Sequence, residues 1–176
     1  EWVGAGTTSA LQGLLADTLT IDISTVHVRH SCRDACGVVL LNRAEGKPWK
    51  LVYSGDTRPC KELVSVGEGA TLLIHEATLE NAMEEDAKFK QHSTTGEALR
   101  IGKSMGAFRI LLTHFSQRYA KVPVLGEVSH EDRAGVAFDL MCINLADLPR
   151  LPSLHSPLSA LCRRSGWQPE ASEEEA

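Results

Sequence analysis

Three stretches of the chain share one pattern, in which a short apolar run leads directly into polar side chains. The apolar runs and the residues that follow are Leu51-Val52-Tyr53 before Ser54-Gly55-Asp56-Thr57, Leu72-Leu73-Ile74 before His75-Glu76-Ala77-Thr78, and Ile110-Leu111-Leu112 before Thr113-His114-Phe115-Ser116. A short apolar run bounded by polar residues is typical of a buried strand. Three strands that each end in ligand-type or acid–base residues are typical of a metal-dependent hydrolase.

The periodicity between these runs predicts alternating strands and helices. The predicted strands are 24–30, 37–42, 49–54, 71–75 and 107–113, and the predicted helices begin near Pro59, Leu79 and Thr94 and end near 67, 90 and 105. The first hairpin follows from the turn at 44–47 between two strand patterns. Thr94 and Glu97 have the spacing of a capping box at the start of the third helix. Strand–helix alternation after an early hairpin predicts an α/β layered domain.

The two ends of the chain carry weaker patterns. Leucines at helical spacing predict a helix over Ser9–Leu19, with Thr8 or Ser9 as its N-cap. Residues 136–145 could form one or two strands, and Pro149, Pro152 and Pro157 then interrupt regular structure. We therefore divide the chain into a leader at 1–19, a domain at 20–148, and a Pro-rich and then acidic tail at 149–176 that we predict to be disordered.

Composition narrows the classes of protein to consider. The chain has 176 residues, of which 43% are hydrophobic, so it can bury the core of one domain. Because its net charge is −5, the chain does not bind polyanions over its whole surface. No run of about 18 apolar residues is present, so we predict no membrane-spanning helix and no membrane partner. Residue 1 is Glu rather than Met, which predicts a start within a longer or processed protein.

Five cysteines form an odd set, at positions 32, 36, 60, 142 and 162. This favours a reducing, intracellular compartment and free, mostly buried thiols. Cys32 and Cys36 could bind zinc together with His27 and His30. Structural zinc sites usually take their ligands from two separated pairs. Because all four residues fall within ten positions, we favour a strand with incidental thiols over a zinc finger.

Several side chains after the predicted strands could hold a metal ion. Asp56 could cap the helix that begins near Pro59, or its two carboxylate oxygens could bridge two cations. His114 alone could equally be a core histidine, but beside Asp56 a metal ligand becomes the better interpretation. His30 also ends a strand, and His27 tends to face the opposite side of that strand. One of these two histidines is therefore expected at the site.

A second group of residues could perform acid–base chemistry. His92 lies just before a capped helix, where backbone amides attract anions, and it could protonate a leaving oxygen. Glu76 could orient that imidazole. Ser93 and Thr94 are explained by helix capping, which does not exclude contact with a substrate. Arg118 and Lys121 could be ordinary surface charges or part of an edge that binds phosphate.

The motifs together resemble a known family. They are Tyr53-Ser54-Gly55-Asp56-Thr57-Arg58-Pro59-Cys60, Leu73-Ile74-His75-Glu76-Ala77-Thr78, His92-Ser93-Thr94 and His114-Phe115-Ser116-Gln117-Arg118-Tyr119-Ala120-Lys121-Val122-Pro123. In this order they are similar to the long form of ribonuclease Z, the tRNA 3′-processing endonuclease of the metallo-β-lactamase superfamily. The resemblance covers about residues 20–148. It implies the αββα sandwich fold and zinc-dependent removal of the 3′ trailer from precursor tRNA.

The resemblance also implies roles for individual residues. Asp56 is similar to the bridging metal ligand, and His114 to the last histidine ligand of a site that holds two Zn²⁺ ions. His30, before Ala35-Cys36-Gly37, is similar to another histidine ligand, with His27 as the alternative. Glu76 and His92 are similar to the pair that assists the leaving group. The residues expected to contact the substrate are Ser93, Thr94, Ser116 and Arg118.

One motif of the family is absent from this chain. The family binds its metals first through His-x-His-x-Asp-His, and none of the seven histidines here forms it. We therefore expect a C-terminal half-domain whose partner segment carries that motif, with activity only when both are present. The long form also implies a nuclear, mitochondrial or other organellar location. The alternatives are a different phosphodiesterase of the same superfamily and a truncated, non-catalytic fragment.

Overall fold

A single mixed sheet forms the centre of the structure, which is a computed structural model that describes residues 21–116, 127–129 and 132–164. The strands are β1 (Ile21–His27), β2 (Cys36–Asn42), β3 (Trp49–Tyr53), β4 (Leu72–Glu76), β5 (Arg109–Thr113) and β6 (Ala134–Val136). They lie side by side in sequence order. The pairs β1–β2 and β2–β3 are antiparallel, whereas β3–β4, β4–β5 and β5–β6 are parallel.

Helices connect β3 to β4 and β4 to β5, as parallel pairing requires. The α-helices are α1 (Lys61–Gly67), α2 (Glu84–Lys90), α3 (Thr95–Met105) and α4 (His155–Arg164), and 3₁₀ helices lie at Asn81–Met83 and Leu145–Leu154. The predicted capping box starts α3: the Thr94 hydroxyl accepts from the Glu97 amide, and the Glu97 carboxylate accepts from the Thr94 amide at 3.0 Å. Gly106, with φ 66°, ends the same helix. None of the helices among the described residues has the length and apolar content that a membrane span requires.

The two faces of the sheet have different partners. On one face, Val52, Leu73 and Ile110 pack with Leu63 of α1 and Met105 of α3, and all five are buried. On the other face, Leu72 and Leu111 pack against Leu148 and Leu151 of the long 3₁₀ helix. Since side chains alternate along each strand, the β1–β3 part of that second face carries the half-buried residues Ile23, Leu40 and Leu51 and the exposed Tyr53.

Most predicted elements occur within two or three residues of their expected positions, and the α/β fold class is confirmed. One difference lies before α2, where the predicted helix from Leu79 is a 3₁₀ turn at Asn81–Met83 followed by the α-helix at Glu84–Lys90. The predicted helix at Ser9–Leu19 lies outside the described residues.

Two expectations for the later part of the chain and one for the cysteines were wrong. The segment 136–145 contributes only the end of β6, because after Val136 its apolar residues cover the neighbouring sheet face instead of pairing in it. The segment 149–164 is helical, not disordered, although it contains Pro149 and Pro152. The prolines do not prevent a 3₁₀ helix here, because the burial of Leu148 and Leu151 against the sheet stabilises it. The thiols are not mostly buried either: Cys60 is buried, but Cys32 and Cys142 are exposed.

Candidate active site

One edge of the sheet collects the candidate residues. Asp56 follows β3, Glu76 is the last residue of β4, and His114 follows β5. Because β3, β4 and β5 are parallel, their carboxyl ends meet at the same edge. His30 comes from the loop after β1, and His92 from the segment before α3. The edge predicted from three separate strand ends is therefore present in the fold.

Asp56 and His114 form an outer pair, which is half-exposed. The Asp56 Oδ1 and His114 Nε2 atoms are 3.6 Å apart, and their side chains are 36% and 47% exposed. His114 has φ 60°, a left-handed conformation that is uncommon outside glycine and that occurs often at functional sites. Gly55, with φ 61°, makes the turn before Asp56, where a Cβ would lie 2.7 Å from the Cys36 carbonyl oxygen.

Glu76 and His92 form an inner pair, which is largely buried. The His92 Nδ1 lies 2.9 Å from Glu76 Oε1, and the Glu76 side chain is 2% exposed. The Glu76 carboxylate also accepts hydrogen bonds from the Thr57 amide at 2.9 Å and from the Thr78 amide at 3.1 Å. A buried carboxylate with this many donors is held in one position.

The Thr78 hydroxyl contacts both pairs, and its hydrogen bonds indicate which ring nitrogen of His114 carries a proton. Its hydroxyl has one proton, which it donates to Glu76 Oε2 at 2.6 Å. The same oxygen lies 2.8 Å from His114 Nδ1 and therefore accepts a proton from that nitrogen. In the neutral imidazole, His114 Nε2 then has a lone pair beside the Asp56 carboxylate. Two acceptors at 3.6 Å with no proton between them suit a shared cation.

The third histidine of the cluster is His30 rather than His27. Ligand atoms of His30, Asp56 and His92 all lie within 4.8 Å of one another, and so do those of Glu76, His92 and His114. The His92 ring lies between the other two imidazoles, with centroids 4.9 Å from His30 and 5.5 Å from His114. Among the residues that the structure describes, neither His27 nor the cysteines of the rejected zinc finger belong to such a group.

The residues predicted to contact the substrate lie in different environments. Ser93 is fully buried and its hydroxyl donates to the Thr57 carbonyl at 2.5 Å, and Thr94 is 3% exposed and caps α3. Their burial gives no support to substrate contact through these side chains. Ser116 is half-buried, and its amide donates to the Thr78 carbonyl at 3.0 Å. Arg118 and Lys121 lie outside the described residues.

Thr78 and Arg58 are the two contacts that sequence reasoning did not assign. Both stand in the motifs next to candidate residues, but no spacing rule links a strand-end threonine to a histidine 36 positions later. A signal was available for Thr78, because residues i and i+2 of an extended segment lie on the same side, here Glu76 and Thr78.

Comparisons with curated proteins give extensive sequence similarity, although no family model matches the chain. The chain is 49% identical over 164 residues to the zinc phosphodiesterase ELAC protein 2 of Macaca fascicularis, covering 90% of this chain and 19% of that protein. It is 58% identical over 106 residues to tRNAse Z TRZ4, mitochondrial, of Arabidopsis thaliana, covering 60% of this chain and 11% of that protein. The chain thus spans a fifth or less of these relatives.

Solved structures extend the similarity to the fold. The crystal structure of a long form RNase Z from yeast matches 88% of this chain and 21% of its own, with a TM-score of 0.75 and 32% identity. The metallo-β-lactamase fold protein YhfI from Bacillus subtilis matches 67% of this chain and 47% of its own, with a TM-score of 0.54 and 22% identity. The chain therefore has part of the metallo-β-lactamase fold. Within that class, it is similar in sequence and structure to the long-form ribonuclease Z proteins, as the motifs predicted.

Proposed function

We propose that this chain is the part of a zinc-dependent endoribonuclease that supplies the acid–base pair and several metal ligands for removing the 3′ trailer from precursor tRNA. The observation that carries the proposal is the convergence at one sheet edge of the inner pair and the outer pair, with Asp56 Oδ1 and His114 Nε2 only 3.6 Å apart. Similarity to the tRNase Z proteins supports the substrate class.

The donor set of the outer pair fits zinc. Two ligands at 2.0–2.1 Å from one tetrahedral ion lie about 3.3 Å apart, close to the Asp56–His114 separation. Thr78 directs the His114 lone pair as outer hydrogen bonds do in metal sites. Asp56, His114 and His30 would hold the metal, and we propose two Zn²⁺ ions in the complete site. Bound zinc supplies a Lewis acid for the phosphate and lowers the pKa of a water.

His92 would deliver the proton to the leaving oxygen. Its Nδ1 is held 2.9 Å from Glu76 Oε1, so Nε2 is the nitrogen that is available to a substrate. Glu76 fixes the tautomer and stabilises the imidazolium before transfer, since a carboxylate accepts but cannot donate when ionised.

A second segment would complete the site and grip the RNA. The chain spans 19% of one relative and 21% of another, and it lacks His-x-His-x-Asp-His. The β1–β3 part of the sheet carries half-buried Ile23, Leu40 and Leu51, which a second sheet of the αββα sandwich would cover. The net charge of −5 supports a site in which most phosphate contacts come from that other segment. The plant relative, which is named mitochondrial, supports an organellar location.

Reconstitution tests the proposal. The 176-residue chain is incubated with zinc and a precursor tRNA, alone and co-expressed with the upstream half of a long-form ribonuclease Z. We expect cleavage only in the co-expressed sample, and its loss with Asp56→Ala. His92→Ala should lower the cleavage rate far more than tRNA affinity, whereas equal losses would make His92 a binding residue.

The two alternative functions correspond to other outcomes of the same assay. Hydrolysis of small phosphodiesters in preference to precursor tRNA would indicate a different phosphodiesterase of the superfamily. No hydrolysis of either substrate in the co-expressed sample would indicate a non-catalytic fragment. Robust cleavage of tRNA by the isolated chain would contradict the need for a second segment.

A further inference from the structure

Arg58 connects the segment that carries His92 to helix α3 through a buried guanidinium. Its Nη1 donates to the His92 carbonyl oxygen at 2.6 Å and to Glu97 Oε2 at 2.7 Å. Its Nη2 bonds to the other carboxylate oxygen of Glu97, so the pair is bidentate. The Arg58 and Glu97 side chains are only 15% and 6% exposed. These contacts form a rigid connection, because a planar fork fixes direction as well as distance.

The backbone of Arg58 is tied to a second candidate segment. Its amide donates to the Arg29 carbonyl at 2.7 Å, and the Arg29 amide donates to Thr57 Oγ1 at 3.0 Å. Arg29 directly precedes His30, and Arg58 comes two residues after Asp56. Arg58 is therefore in contact with, or adjacent to, the three segments that carry His30, Asp56 and His92.

We propose that Arg58 and Glu97 are positioning residues that fix the orientation of His92 toward Glu76 and the metal-binding edge. The His92 carbonyl is held by Arg58, and the Thr94 amide is held by Glu97 at 3.0 Å, so both ends of the segment 92–94 are anchored. With its main chain anchored, the His92 ring keeps Nδ1 at the Glu76 carboxylate. Loss of either anchor lets the ring leave that position.

Two other roles for Arg58 fit the contacts less well. A direct phosphate contact would require free, accessible donors, but both terminal nitrogens already bond within the protein and the side chain is 15% exposed. A role in stability alone is also a poor explanation, since buried ion pairs often add little net stability compared with apolar residues. The geometry, which links His92 rather than any core residue, favours positioning.

The first test observes the His92 tautomer directly. The 176-residue chain is labelled with ¹⁵N-histidine, and two-bond ¹H–¹⁵N spectra are recorded at pH 8, with His92 assigned through His92→Gln. Wild type should give a single tautomer with Nδ1 protonated. Arg58→Lys keeps the charge but loses the fork that holds the His92 carbonyl. Glu97→Gln keeps the Thr94 contact but weakens the hold on the Arg58 guanidinium, because an amide offers it one acceptor oxygen instead of two. Both should give averaged or mixed tautomer signals for His92.

A matched control separates positioning from a general effect on α3. Lys103→Met removes another ion pair of the same helix, between Lys103 Nζ and Asp132 Oδ1 at 2.7 Å, far along α3 from Thr94. Its His92 spectrum should equal that of wild type even where its melting temperature falls. Wild-type His92 spectra in folded Arg58→Lys and Glu97→Gln would overturn the proposal, and if one variant does not fold the other decides.

The second test measures catalysis and rests on the proposed function. In the co-expressed enzyme, Arg58→Lys should lower kcat for precursor tRNA by about 10- to 100-fold, the range seen when outer hydrogen bonds of a site are removed. KM should stay within about twofold. A raised KM with unchanged kcat would overturn positioning in favour of substrate binding. If wild type itself does not cleave, the proposed function fails, and the tautomer measurement still decides the role of Arg58.

Discussion

The inner and outer pairs of the site each combine a carboxylate with a histidine, but the pairs differ in burial and in hydrogen bonding. The Glu76–His92 pair is buried and is bonded to backbone amides and to Thr78. The Asp56–His114 pair is half-exposed, and its facing atoms lie 3.6 Å apart. One pair has its hydrogen-bond partners within this chain, and the other is the pair that we propose to hold a cation.

The difference follows from where each residue stands in the fold. Glu76 is the last residue of a central strand, so neighbouring loops enclose its carboxylate. Asp56 and His114 each follow their strand, with backbone turns of positive φ at Gly55 and His114, and their side chains come within 3.6 Å of each other. In the proposed function, the buried pair would hold the proton in a fixed geometry, and the half-exposed pair would hold the metal where a substrate can reach it.

The largest expected effect is on stability, through the inner pair. Glu76→Ala leaves the buried amide of Thr57 and the amide of Thr78 without their acceptor. We expect the free energy of unfolding to fall by about 3 kcal/mol, as for buried donors left unpaired near a lost charge. Asp56→Ala is the matched carboxylate of the outer pair and should change it by less than about 0.5 kcal/mol. Urea denaturation without metal measures both, and equal losses would refute the contrast.

The second prediction concerns metal binding, through the outer pair. Asp56→Ala should weaken Zn²⁺ binding to the chain by at least about tenfold, because a ligand oxygen is lost. The control is Asp22→Ala, which removes an exposed carboxylate paired with Arg43 at 2.6 Å, away from the site. Competition with a zinc-binding dye measures both affinities. Unchanged affinity in Asp56→Ala would show that the outer pair does not hold zinc.

The same contrast explains how much the sequence alone could predict. The positions of Asp56, Glu76 and His114 were predictable because each follows a run of buried residues, and parallel strand ends share an edge. The capping box at Thr94 was predictable because it depends on two residues three positions apart. Local patterns therefore located the strands, the start of α3 and the edge that carries the site.

Contacts between distant segments were not predictable in this way. The bond from Arg58 to the His92 carbonyl joins residues 34 positions apart, and nothing in the pattern of either segment specifies it. The helical region after Leu145 was missed because its prolines indicate a break, while the burial of Leu148 and Leu151 against the sheet favours a helix. Tertiary packing decided both features.

The third prediction uses the pH dependence of stability to test whether water reaches the buried region around His75 and Glu76. His75 is fully buried beside Glu76, desolvation lowers its pKa from 6.5, and its Nε2 has no partner among the described residues. The unfolded chain therefore binds a proton here that the folded chain does not, so stability falls as pH falls below about 6.5. Between pH 7.5 and 5.5 this histidine should account for up to about 1.4 kcal/mol.

His75→Asn removes the titration and keeps a donor for the Glu76 carbonyl, which lies 2.6 Å from His75 Nδ1. Unfolding free energies of wild type and variant are measured at both pH values. The difference between their pH dependences gives the contribution of His75. His27→Asn is the control, because His27 is exposed on β1 and should leave the pH dependence as it is in wild type. Parallel pH curves for wild type and His75→Asn would show that water reaches the inner region.

The smallest expected effect tests the link between the pairs. Thr78→Val keeps the shape of the side chain but removes the hydroxyl that contacts Glu76 and His114. Stability should fall by about 1 kcal/mol, the net value of a hydrogen bond. Zinc affinity should fall severalfold because His114 Nε2 is no longer oriented, whereas Thr78→Ser should keep both properties near wild type. A Thr78→Val chain that loses stability yet keeps its zinc affinity would show that the outer pair is oriented independently of the inner one.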